Sequence, residues 1–104
     1  MVKVEVVLSV DDLENVLYCI SGLEISMLNF YEINSIGNNI QKPTIYRGVS
    51  QSSSYAQKTK LEILTSTDQV GELKGCIEKL IRDNSKIRPV EFYITQVNEV
   101  FQIP

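Results

Sequence analysis

The chain has 104 residues, 43% of them hydrophobic, a net charge of −3 and no histidine. That length suits one domain with a modest core, spanning 1–104. Its lysines and arginines are scattered among acids, which argues against the clustered cations that nucleic-acid affinity requires. No apolar run approaches the roughly 20 residues of a membrane span, so a soluble, cytoplasmic protein without direct membrane insertion is expected.

Val2, Val4, Val6 and Leu8 alternate with Lys3 and Glu5, the period of a half-buried strand, with Val7 on the other face. Met1-Val2-Lys3-Val4-Glu5 therefore reads as strand rather than signal peptide. Leu13, Val16, Leu17 and Ile20 follow at helical spacing, with Gly22 as the stop. Asp11 and Glu14 match a capping box, in which carboxylates satisfy the free N–H groups of a helix start. Leu23 to Ile36 reads as a long strand with large apolar groups on both faces, and Gly37-Asn38-Asn39 as a turn.

Thr44 to Arg47 and Lys58 to Thr65 are extended segments on either side of a polar tract. Ser66 and Gln69 form a second capping-box pattern ahead of the stripe Val70, Leu73, Ile77, Leu80 and Ile81. After a turn at Asp83 to Lys86, Val90, Phe92 and Ile94 alternate in a last strand towards Val97. The order is βαββαβ, which predicts an α+β, ferredoxin-like sandwich: an antiparallel sheet with both helices on one face. Val7, Leu28, Phe30, Tyr93 and Val97 predict a partly apolar opposite face, and hence sheet-to-sheet oligomerisation.

The polar tract is the most informative segment. Ser50 to Ala56 holds no leucine, isoleucine or valine. Ordering a residue's backbone costs about 1–2 kcal/mol, so those seven would cost on the order of 10 kcal/mol, comparable with the stability of a small domain, about 5–15 kcal/mol. Such an insertion is expected to be mobile until something binds it.

The strand start, Asp11-Asp12-Leu13, Ile36-Gly37, Tyr46-Arg47-Gly48 and Lys58-Thr59-Lys60-Leu61-Glu62-Ile63, in that order and spacing, resemble the PII signal-transduction superfamily. The resemblance covers nearly the whole chain. It implies a homotrimer whose flexible T-loop, here about 38–57, engages a target protein such as a membrane transporter or a metabolic enzyme. It also implies an intersubunit effector site that takes an adenine nucleotide (ATP, ADP or AMP). The matching positions are Gly37 and Asn39 at the turn, Arg47 and Lys58 at the T-loop base, and Lys86 and Arg88 in the B-loop region. Val49, Ser50, Gln51, Ser52, Ser53, Ser54 and Tyr55 would form the partner-binding loop.

The chain also departs from that pattern. Asn84-Ser85-Lys86-Ile87-Arg88-Pro89-Val90 lacks the glycines that let backbone N–H groups approach phosphate, and the C-terminal arginines are absent. Asn39 stands where the family places a glutamine that helps hold 2-oxoglutarate and metal. The expected protein is therefore a divergent PII-like regulator, answering to an adenine nucleotide or to a small anion such as bicarbonate.

Two alternatives remain: a ligand-independent trimeric interaction module, and a CutA-like metal-tolerance protein. Ile45-Tyr46-Arg47 is compatible with the latter, whereas the missing histidine argues against it. Cys19 and Cys76 read as small core residues rather than metal ligands. No nucleophile has an adjacent base, so a non-enzyme without catalytic or metal residues is expected.

Overall fold

The computed structural model describes residues 1–36, 45–46, 49–50 and 55–104, with backbone alone at 45–46 and 49–50. The elements run β1 (Val2–Ser9), α1 (Leu13–Ile20), β2 (Met27–Ser35), β3 (Ile45–Tyr46), β4 (Val49–Ser50), β5 (Ala56–Thr65), α2 (Val70–Asp83) and β6 (Glu91–Gln96). Short 3-10 turns, Val10–Asp12 and Thr67–Gln69, lead into the two helices. β2, β5, β1 and β6 form a four-stranded sheet in that spatial order, with every neighbour antiparallel. The α+β, ferredoxin-like arrangement expected from the sequence is the one observed.

Register explains the core. Val4 pairs with Ile63 and Val6 with Leu61, so the even-numbered positions of β1 and odd-numbered positions of β5 share one face. That face packs against Val16 and Ile20 of α1 and Leu73 and Ile77 of α2 in one buried cluster. The helix stripes and the strand alternation are thus two sides of a single apolar layer, held together by removal of that surface from water.

Several local expectations differ from the structure. The strand expected over 23–36 runs only from Met27 to Ser35, and Ser26 N–H bonds Leu64 carbonyl at 2.9 Å where the chain enters the sheet. β5 starts at Ala56, two residues before Lys58, extended by pairing with Ser35 and Asn34 of β2. Within the polar tract, Val49 and Ser50 pair with Tyr46 and Ile45 as a two-stranded ladder.

Neither capping box forms. Asp11 lies inside the first 3-10 turn, and neither Ser9, Asp12, Ser66 nor Gln69 makes a side-chain cap bond. Gln69 N–H bonds the backbone carbonyl of Ser66 instead, at 3.1 Å. The 3-10 turns instead give the donors at the helix starts backbone partners, Leu13 N–H to Val10 carbonyl and Val70 N–H to Thr67 carbonyl.

The outward face also needs correcting. Leu28 and Phe30 pair with Ile63 and Leu61, which puts them on the helix side. Val97 lies beyond β6, where its N–H bonds Met1 carbonyl at 3.1 Å. Val7 and Tyr93 do face outward, but among charges. Glu5 receives Lys60 at 2.8 Å and Lys3 at 3.2 Å, and Tyr31 donates to Glu62 at 2.7 Å. Val7 is buried beneath these long side chains.

The hydrogen bond from Lys60, then that from Lys3, hold the Glu5 carboxyl below its ordinary value. A carboxyl whose folded-state pKa is depressed contributes stability above its unfolded value of about 4.5 and loses it as pH falls through the folded value. Denaturation in urea should accordingly show a Glu5→Gln variant losing less stability than the parent between pH 5 and pH 3, in the direction set by that depressed pKa. Parallel losses would show that this cluster contributes nothing pH-dependent.

Candidate functional site

The end of the sheet where β1 finishes and β5 begins carries a cleft of about 510 Å³. Ser9 and Lys58 face each other there in register. β2 ends at the same level, with Ser35 opposite Ala56, so the connection between β2 and β5 leaves and returns beside the cleft. Ala56, Gln57 and Lys58 form one wall; Ser9 and Asp11 form another; Arg88, Pro89 and Glu91 form the third.

The third wall is positioned by a chain of local bonds. Asn84 ends α2, its N–H bonding Leu80 carbonyl at 3.0 Å. Its own carbonyl accepts Ile87 N–H at 3.1 Å and its side-chain oxygen accepts Lys86 N–H at 3.2 Å. Asparagine supports such turns because its side chain mimics a backbone carbonyl. Ile87 then buries, and the next N–H, that of Arg88, donates to Asp12 Oδ2 at 3.1 Å. The Arg88 guanidinium reaches Ser9 Oγ and Asp11 Oδ2, both at 3.2 Å. Asp11, expected to cap α1, and its neighbour Asp12 instead clasp the connector between α2 and β6.

Lys58 is the second cation of the cleft. Its Nζ lies 3.7 Å from Glu91 Oε1, while Glu91 Oε2 accepts the Tyr93 hydroxyl at 2.6 Å. That bond, with the charge of Glu91 behind it, raises the Tyr93 phenol above its ordinary value. Both cations are therefore already matched by carboxylates in this state. An anion entering the cleft would compete with Asp11 for Arg88 and with Glu91 for Lys58. These partly exposed pairs are weak enough to be exchanged, each contributing at most about 1 kcal/mol.

Of the effector residues expected from the sequence, the fold brings Lys58 and Arg88 to one cleft. Lys86 is exposed on the preceding turn and does not line it. Gly37, Asn39 and Arg47 lie outside the described residues, as do Gln51, Ser52, Ser53 and Ser54 of the expected partner loop. Val49 and Ser50 are described only as strand backbone, and Tyr55 is exposed. Sequence reasoning missed Ser9, Gln57 and Glu91 as wall residues. Ser9 and Glu91 were accessible in principle, since each adjoins an expected strand end on the outward face.

Among the described residues, no three or more cysteine or acidic side chains are placed to hold a metal ion. None of the described helices is long and apolar enough to cross a membrane.

The two carboxylates of the clasp should differ in value. Asp12 is buried, and Asp12→Ala strands the Arg88 N–H, a loss of about 1–3 kcal/mol. Arg88→Ala keeps that N–H and removes only exposed pairs, a loss below about 1 kcal/mol. Urea denaturation of both variants checks the order, and an equal or reversed order would contradict it.

No protein-family model matches the chain, and no curated protein matches it in sequence. Its fold is similar to that of a crystal structure described as a DUF3240 family protein from Shewanella baltica, with a TM-score of 0.73 and 13% identity. The match covers 99% of this chain and 96% of the other. At that identity the likeness is one of fold.

Proposed function

We propose that this chain is a non-catalytic PII-like regulator, in which a small anionic effector in the cleft biases the segment between β2 and β5 towards or away from a partner protein. The observation that carries this reading is the meeting of Lys58 and Arg88 in a cleft at the root of that segment. An effector that exchanges Arg88 from Asp11 and Lys58 from Glu91 acts on the first residues of β5. It shifts the segment only by its differential affinity for the two arrangements.

The effector class that fits two adjacent cations is an adenine nucleotide or a compact oxyanion such as bicarbonate. The regulator is a homotrimer in this reading. Exposed Met27, Tyr31 and Tyr93 on the outward sheet face supply apolar surface for copies to cover. The partner, by the resemblance in sequence order, is a transporter or a metabolic enzyme in the cytoplasm.

One observation favours a second reading, a ligand-independent interaction module: both cations are already paired within the chain. Calorimetry on the full chain with ATP, ADP, AMP, cyclic AMP and bicarbonate separates the two. The regulator reading expects binding by at least one of them, weakened about tenfold or more in Arg88→Ala, which corresponds to about 1.4 kcal/mol. Light scattering on the same sample should give three times the 11.8 kDa chain mass. Absence of binding by all five leaves the interaction module, and a monomer mass contradicts both trimeric readings.

A further inference from the structure

Cys19 of α1 and Cys76 of α2 stand apart from everything above. They were expected to be small core residues, yet neither belongs to the buried cluster. Both are half-buried free thiols. They meet across the seam between the two helices, on the side away from the sheet, and together line a shallow recess of about 280 Å³ with Tyr18, Lys79 and Asp83. Tyr18, at 85% exposed, leaves the recess open to small reagents.

We infer that Cys19 and Cys76 form a reversible dithiol–disulfide pair that ties α1 to α2, with a small-molecule disulfide of the glutathione class as the oxidant. Three features point to it. The sulfurs come from different helices of one chain, so a bond between them closes a long stretch of sequence. They share one solvent-accessible recess rather than separate sites. Their thiols are also electrostatically linked: burial first, then the charge and hydrogen bonding of Cys76, push the Cys19 thiol up to about 11.

One thiol of the pair gives its proton to solvent and, as the thiolate, attacks one sulfur of the oxidant and expels the other as a thiolate, leaving a mixed disulfide on the protein. The second protein thiol gives its proton to the expelled thiolate or to water and attacks the protein sulfur of that mixed disulfide. The second small thiol leaves. Two protein thiols are oxidised to one disulfide, and one small disulfide is reduced to two thiols.

Two sulfurs are too few for a structural zinc site, which takes four ligands, and no third cysteine or carboxylate completes a metal-holding group among the described residues. Soft metals that accept two thiolates remain an outcome to be distinguished by the test.

The folded full-length chain is incubated with oxidised glutathione, quenched with alkylating reagent in denaturant, and weighed intact. The expected product is a monomeric chain lacking two hydrogens, with both alkylation sites lost and no glutathione retained. Its thermal midpoint should exceed that of the reduced chain and return when a dithiol reductant is added. Cys19→Ser and Cys76→Ser should each stop at a mixed disulfide with glutathione on the cysteine that is left, with no loss of two hydrogens.

A wild-type chain that keeps both thiols, retains glutathione, or links to a second chain would overturn the inference without recourse to the variants. So would protection of both thiols by stoichiometric Cu(I) in a chain that glutathione disulfide cannot oxidise.

Discussion

The bond from the Arg88 amide to the Asp12 carboxylate is the constraint on which the site depends. Nothing in the sheet fixes where the chain between α2 and β6 must lie; β6 pairs with β1 only from Glu91 onward. The connector is fixed instead by Asn84 at one end, by burial of Ile87, and by the buried carboxylate of Asp12. With the backbone held there, Arg88 swings its guanidinium over Ser9 and Asp11, and the third wall of the cleft exists. A charged acceptor on a backbone donor is among the stronger hydrogen bonds available to a fold, and here it is partly shielded from water.

The same geometry links the cleft to the polar segment. Lys58 lies two residues inside β5, opposite Ser9, and its strand neighbours Gln57 and Ala56 pair with the last residues of β2. A change in the partner of Lys58 therefore acts on the strand end from which the segment departs. Glu91, held by both Lys58 and Tyr93, couples that event to the edge strand β6. In the proposed reading the charges would exchange partners, since exposed ion pairs are individually weak and easily replaced.

The fold was legible because it rests on periodicity. Val2, Val4, Val6 and Leu8 against Leu61 and Ile63 need only alternation to be found, and the α2 stripe needs only helical spacing. What resisted reading depends on contacts distant in sequence. Asp11 and Asp12 look like a helix cap in any local window. Their true partner is 76 positions away for the Asp12 bond, and no pattern near residue 12 announces it. Alternation alone puts Leu28 and Phe30 on the wrong face, because β2 is apolar on both sides and the pattern does not choose between them. The cysteines failed for the opposite reason: each is ordinary within its own helix, and only the seam between α1 and α2 brings them together.

The central claim is that the cleft formed by Lys58 and Arg88 receives a small anion. Amide chemical shifts of the isotope-labelled full chain, followed during titration with ATP and separately with bicarbonate, test it most directly. Saturable shifts concentrated at Ser9, Lys58 and Arg88, spreading to Ala56 and Gln57, are predicted for at least one of the two. Saturable shifts confined to another part of the fold, or none at these positions with either, would contradict it.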